Sequence, residues 1–153
     1  MNLYKKVNNI FGWIAFAISM YVYGSTIEPT GSFWDCGEFI AASYKLQVGH
    51  PPGAPLFLMV GRVATLLGGN DPRMFSIMIN LMSAVMSAFT ILFLFWTITA
   101  LARKIVIKTA EVTTAQLVAV MGSGLVGALA YTFSDSFWFS AVEGEVYAMA
   151  SLF

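Results

Sequence analysis

The 153-residue chain is 58% hydrophobic and only 10% charged, with a mean hydropathy of +0.76, which excludes an ordinary soluble domain. Eight Lys/Arg balance eight Asp/Glu, and without a basic stripe a nucleic-acid partner is excluded. Cys36 is the single cysteine, so no internal disulfide forms and the redox compartment stays open.

The first apolar segment, residues 10–27, has no charge in 18 residues, close to the roughly 20 a helix needs to cross a bilayer core. Lys5 and Lys6 before it suggest a signal peptide. No small-residue cleavage site ends the run and further apolar segments follow, so it reads as an uncleaved signal anchor. A long loop, residues 28–74, comes next. Within it Ser32-Phe33-Trp34-Asp35 fits a capping box, opening a short surface helix to Val48 that dips Phe39, Ile40, Tyr44 and Leu46 into the membrane interface. Asp35 and Glu38, three apart, share one face near the helix N-terminus, where the dipole favours ionised carboxylates. Two readings stay open. Asp35 caps the helix and Glu38 is a solvated first-turn acid, or Asp35 is a general base with Glu38 as its orienting or substrate-binding neighbour.

Residues 49–53, Gly-His-Pro-Pro-Gly, make a stop and a stiff turn. The turn folds residues 54–67 back as a second interfacial helix, so that His50 faces Asp35. Fourteen residues with Arg62 inside suit an interfacial helix better than a span. His50 with Asp35, Glu38 or Glu143 admits a divalent metal, but no ligand spacing specifies one. Lys45, Arg62 and Arg73 either snorkel toward headgroups or, for the arginines, grip a phosphate at the membrane surface.

Residues 75–101 form the second predicted span, uncharged over 27 residues, and residues 117–133 the third, uncharged over 17. Gly122, Gly124, Gly127 and Ala128 give the third a small-residue face for close helix packing. The basic loop 102–116 separates the two, and loop 134–145 follows with Phe137, Trp138 and Phe139 as an interfacial aromatic belt before Glu143 and Glu145. A fourth span starts at residues 146–153 and is cut off by the chain end, so the chain reads as the N-terminal part of something longer. Omitting 54–67 as a span satisfies the positive-inside rule: five of eight Lys/Arg lie inside with the N-terminus, and seven of eight acids lie outside.

The stretch Trp34-Asp35-Cys36-Gly37-Glu38-Phe39, the stretch from Lys45 through Gly49-His50-Pro51-Pro52-Gly53 to Leu56, and the stretch Phe139 to Tyr147 containing Glu143-Gly144-Glu145 together resemble a bacterial multi-spanning family long catalogued as a domain of unknown function. That family is related to the eukaryotic transmembrane protein O-mannosyltransferases of the GT-C glycosyltransferase class. Arg73-Met74-Phe75-Ser76 matches the Arg-apolar-x-Ser stretch that opens the second span in many members. The resemblance implies an all-α polytopic membrane protein of GT-C type, with about three spans, a truncated fourth and two interfacial helices in the first outer loop. It implies Asp35 as catalytic base, Glu38 as its acidic neighbour, and His50, Arg73 and Arg62 at the donor phosphate. Glu143 and Glu145 would be second-loop acids near the acceptor or a metal. The implied reaction moves a sugar, such as mannose, from a polyprenyl-phosphate carrier to a hydroxyl of an acceptor protein or glycan, with inversion, on the periplasmic face of a bacterial inner membrane. The alternatives are a transporter or flippase component, or an assembly subunit that docks a partner through its acidic loop. Uncharged spans weigh against transport.

Overall fold

The computed structural model describes residues 2–69, 71–109 and 111–153. Residues 1, 70 and 110, which fall in the N-terminal segment and two of the predicted loops, lie outside it. The described chain is seven helices in the order α1 (Asn2–Ser25), α2 (Cys36–Lys45), α3 (Pro55–Leu67), α4 (Pro72–Val106), α5 (Thr114–Thr132), α6 (Asp135–Val142) and α7 (Val146–Leu152). Two of them, α4 and α5, are long and apolar enough to cross a membrane. The chain therefore folds as an all-α membrane protein, with two short helices in its first loop.

Helix α4 is the axis of the molecule and touches all six others. At 35 residues it measures about 52 Å at 1.5 Å per residue, well beyond a hydrocarbon core of about 30 Å. Its excess length forms a stem on which the first loop is built. The bundle core gathers Ala15 and Tyr23 of α1, Ala84, Ile91 and Phe95 of α4, Val120 and Ala128 of α5, and Phe137 of α6. A second core lies under the first loop, where Phe39 and Ala42 of α2 and Phe57 and Leu58 of α3 close over Ile79 of α4 and Met149 of α7.

Small residues set the bundle spacing. A Cβ on Gly124 would meet Thr99 Cγ2 at 2.5 Å and Phe95 at 2.8 Å, and one on Gly127 would meet Ile98 at 2.6 Å. Gly122 has nothing within 4 Å, so it stands off the packed face that spacing had assigned to all four residues.

Several boundaries move. Helix α1 begins at Asn2, ahead of the apolar run 10–27, and Tyr4 packs into the bundle: its hydroxyl donates to the Thr99 carbonyl and the Arg103 guanidinium lies 4.8 Å over its ring. The stretch 134–145 is not a plain loop, since α6 occupies most of it. Its Trp138 Nε1–H donates to Thr26 Oγ1 and its Phe137 stacks on Tyr131. The expected capping box at Ser32–Asp35 does not form. Such a box forms instead at Thr113–Gln116, at the start of α5.

Candidate active site where two loops meet

The two acidic loops join at one end of the bundle. Backbone N–H of Glu28 donates to the Val142 carbonyl at 3.1 Å, and the Ser32 hydroxyl donates to the Glu143 carboxylate. The opposite end holds Lys5, Lys6, Arg103 and Lys104, tied by the Tyr4–Thr99 contact. Charge is thus unevenly divided between the two ends, with Lys45, Arg62 and Arg73 lying among the acids of the first loop.

Ser32 is committed to Glu143, so it cannot cap α2. Trp34 enters the left-handed region at φ 62°, and Asp35 occupies the N-cap position without accepting a cap hydrogen bond. Its carboxylate is exposed and free to face outward. The capping reading of Asp35 is therefore corrected: the residue sits at the helix start and does no capping there.

His50 arrives opposite it through two turns. Helix α2 ends in a Schellman motif with Leu46 in the left-handed region, where Gln47 N–H bonds the Ala42 carbonyl and Leu46 N–H that of Ser43. A four-residue turn then brings Gly53 N–H to the His50 carbonyl at 2.8 Å, with a cis Pro51–Pro52 bond and Gly53 at φ 78°.

Glu38 grips His50 at two points: Oε1 accepts from the backbone N–H at 2.7 Å, and Oε2 lies 3.0 Å from Nδ1. A carboxylate only accepts, so Nδ1 carries a proton and Nε2 turns to the other side. There it lies 3.7 Å from Asp35 Oδ2. Glu38's backbone bond from His50, then its ring bond, lower the carboxyl below its ordinary range. The same Glu38 hydrogen bond, followed by the charges of Glu38 and Asp35, raises His50 above its usual value. Both neighbouring carboxylates thus shift the ring toward its charged form.

Donor atoms of Asp35, Glu38 and His50 lie within 4.8 Å of one another, close enough to hold a metal ion. Glu38 already spends both oxygens on His50. Each of those oxygens keeps a second lone pair, so Asp35, Glu38 and His50 offer one ligand atom apiece, fewer than the four of a closed structural site.

A cavity of about 300 Å³ is lined by Asp35, Phe39, His50, Pro52, Gly53 and Ala54 from the first loop and by Glu145, Val146 and Tyr147 from the second. Glu145 and Glu143, two residues apart, take different places. Glu143 is buried against Ser32, while Glu145, also buried, opens onto the cavity. Burial raises both carboxyls, and the charges of Glu143 and Asp35 push Glu145 further in the same direction.

The arginines stand apart from this cluster. Arg62 Nη1 donates to the Tyr44 carbonyl at 2.7 Å and lies over the Tyr44 ring, which itself stacks on Phe75. It closes the C-terminus of α2. Arg73 is exposed in the first turn of α4, its backbone N–H capped by Asp71. Sequence reasoning passed over Asn80, a buried amide in an apolar helix whose bonds reach the first loop: Nδ2 donates to the Glu28 carbonyl at 2.7 Å and the Thr30 carbonyl at 3.1 Å. Its one visible signal was polarity inside an uncharged run.

Comparison with known proteins gives a consistent picture. Over 132 residues the chain is 26% identical to protein O-mannosyl-transferase tmem260 of Dictyostelium discoideum, covering 86% of this chain and 14% of that protein. It is 25% identical over 138 residues to protein O-mannosyl-transferase TMEM260 of Mus musculus, covering 90% and 17%. The chain thus spans about a sixth or less of the length of these curated relatives. No solved structure matches. The family defined by the protein O-mannosyl-transferase TMEM260 N-terminal domain matches residues 35–153, from the first site acid to the last residue, and the chain belongs to that family.

Proposed function

We propose that the full-length protein is an inverting glycosyltransferase that moves a sugar, mannose by analogy with its relatives' names, from a polyprenyl-phosphate carrier to a hydroxyl on a protein. The observation that carries this reading is an uncapped Asp35 sharing a cavity with an imidazole clamped by Glu38. An acceptor hydroxyl is a weak nucleophile, and Asp35 removes its proton as it attacks the anomeric carbon. The bond from that carbon to the phosphate oxygen breaks, the configuration inverts, and negative charge grows on the departing lipid phosphate. Protonated His50 stabilises that charge, and Glu38 holds the ring so that little reorganisation is needed. Glu145, whose carboxyl burial raises above its ordinary range, lines the cavity beside Asp35. Arg73, exposed in the first turn of α4, meets the donor phosphate in this reading. Arg62 supports α2 and serves the site through it.

In this reading α1, α4 and α5 are the spans of residues 10–27, 75–101 and 117–133, α7 begins a fourth, and the acidic pole faces outward. A lipid-linked donor accounts for a site at the membrane surface, because its tail stays in the bilayer. The test is transfer from a polyprenyl-phosphate sugar by the full-length protein. Asp35→Asn should lower kcat by about 100-fold or more, the scale of a lost general base, with membrane expression unchanged. Transfer at the wild-type rate would remove Asp35 as the base.

A further inference from the structure

We infer that Asn80 is a positioning residue that sets the distance between the two acidic loops, and that its amide acts on catalysis through Asp35 and Glu145 without touching substrate. The inference rests on the transferase reading above. Asn80 sits nine residues into α4 and is completely buried. A primary amide in an apolar helix is costly to bury unless its donors and acceptor are satisfied. Here the partners all belong to the loops. Both carbonyls it binds, Glu28 and Thr30, lie on the strand of chain leading to Asp35. The Cys36 thiol, next to Asp35, lies 3.9 Å from its Oδ1.

The second loop presses on the same group. Gly144, between Glu143 and Glu145, is buried, and a Cβ there would fall 3.0 Å from Asn80 Oδ1 and 2.8 Å from Ile79 Cγ2. One side chain on the stem thus contacts the Cys36 thiol beside Asp35 and leaves no room for a side chain at Gly144 beside Glu145. These are the acids that line the shared cavity from opposite loops. Asp35 makes no cap bond of its own, so its position depends on what holds residues 28–36. Tightening in this sense is catalytic geometry: a displacement of about 1 Å in a reacting group costs on the order of 100-fold in rate.

The experiment uses the full-length protein with two readouts. Asn80→Asp keeps the shape, deletes both donors and sets a carboxylate against two carbonyls. It should lower kcat by about 10- to 100-fold with KM for the donor changed less than about 3-fold. It should also speed maleimide labelling of Cys36, which is buried at 0% exposure, by about 10-fold or more. Gly144→Ala pushes the same pin from the other loop, should lower kcat on its own, and serves if Asn80→Asp does not fold. In the double variant the losses should not multiply, because both act on one contact. Faster Cys36 labelling with unchanged kcat would overturn the inference, since the loop would then be loosened without consequence for transfer. Unchanged labelling and unchanged kcat would overturn it as well. If wild-type transfer survives Asp35→Asn, the transferase reading fails instead, and the labelling result still reports whether Asn80 holds the loop.

Discussion

An imidazole with a carboxylate on each side titrates as a member of a set, and His50 shows what that means for activity. Its pKa lies above the ordinary 6.5, so the charged form persists past that value and is lost as pH rises through the raised one. Glu38's lies below 4.5, so its charge is lost only as pH falls through the lowered one. The clamp is therefore complete between those two limits and weakens at either side. Transfer should fall on the alkaline side as His50 loses its proton. Glu38→Gln removes the first cause of the shift and should move that alkaline limb to lower pH, read from kcat/KM against pH. A limb that stays in place would dissociate His50 from the response. Glu145 supplies the complementary case: a buried carboxyl working as a hydrogen-bond partner should tolerate Gln with less than about 10-fold loss and suffer more from Ala, where the partner is gone. How much of this was readable in advance differs by residue. The pairing of Asp35, Glu38 and His50 was foreshadowed by a helix face and a Pro-Pro turn. The release of Asp35 from capping was not, because Ser32 finds its partner 111 residues away, where local pattern has no reach.

Among the elements, the α4–α5 pair makes the sharpest stability statement. Gly124 and Gly127 let the two helices approach until a Cβ would collide with Phe95, Thr99 or Ile98. Gly124→Val should force the backbones apart and destabilise by about 1–3 kcal/mol. Gly122→Ala, in open space, should be neutral or slightly stabilising by helix propensity, within about 1 kcal/mol. Thermal unfolding in detergent distinguishes the two. The helices α4 and α5 were legible from uncharged runs alone, since membrane length and apolarity are local properties. The first turns of α1 were not, because Asn and Lys are unremarkable helix formers until Tyr4 finds Thr99. Helix α6 was hidden for a similar reason: its aromatics look like an interfacial belt, and only contacts with Thr26 and Tyr131 show a folded helix.

At the scale of the molecule, the excess of basic groups at one end, five of the eight Lys/Arg, predicts the orientation of the whole. Cys36 is too buried to report it, whereas Val48 and Phe33 are 95% and 83% exposed. Val48→Cys in a Cys36→Ser background should react with a membrane-impermeant maleimide from the face opposite the N-terminus. Reaction only from the N-terminal face would invert the proposed arrangement. The tie between Ser32 and Glu143 also has a bearing on how the protein is made. A ribosome adds on the order of 5–20 residues per second, so roughly ten seconds separate the synthesis of these two partners. During that interval the first loop has no Glu143 to hold Ser32, and Ser32 is free to make the local cap that the finished structure denies it. The nascent chain therefore passes through a stage in which Ser32 lacks the partner that holds it in the finished fold, and under the proposed mechanism Asp35 takes up its role only after the second loop has been made.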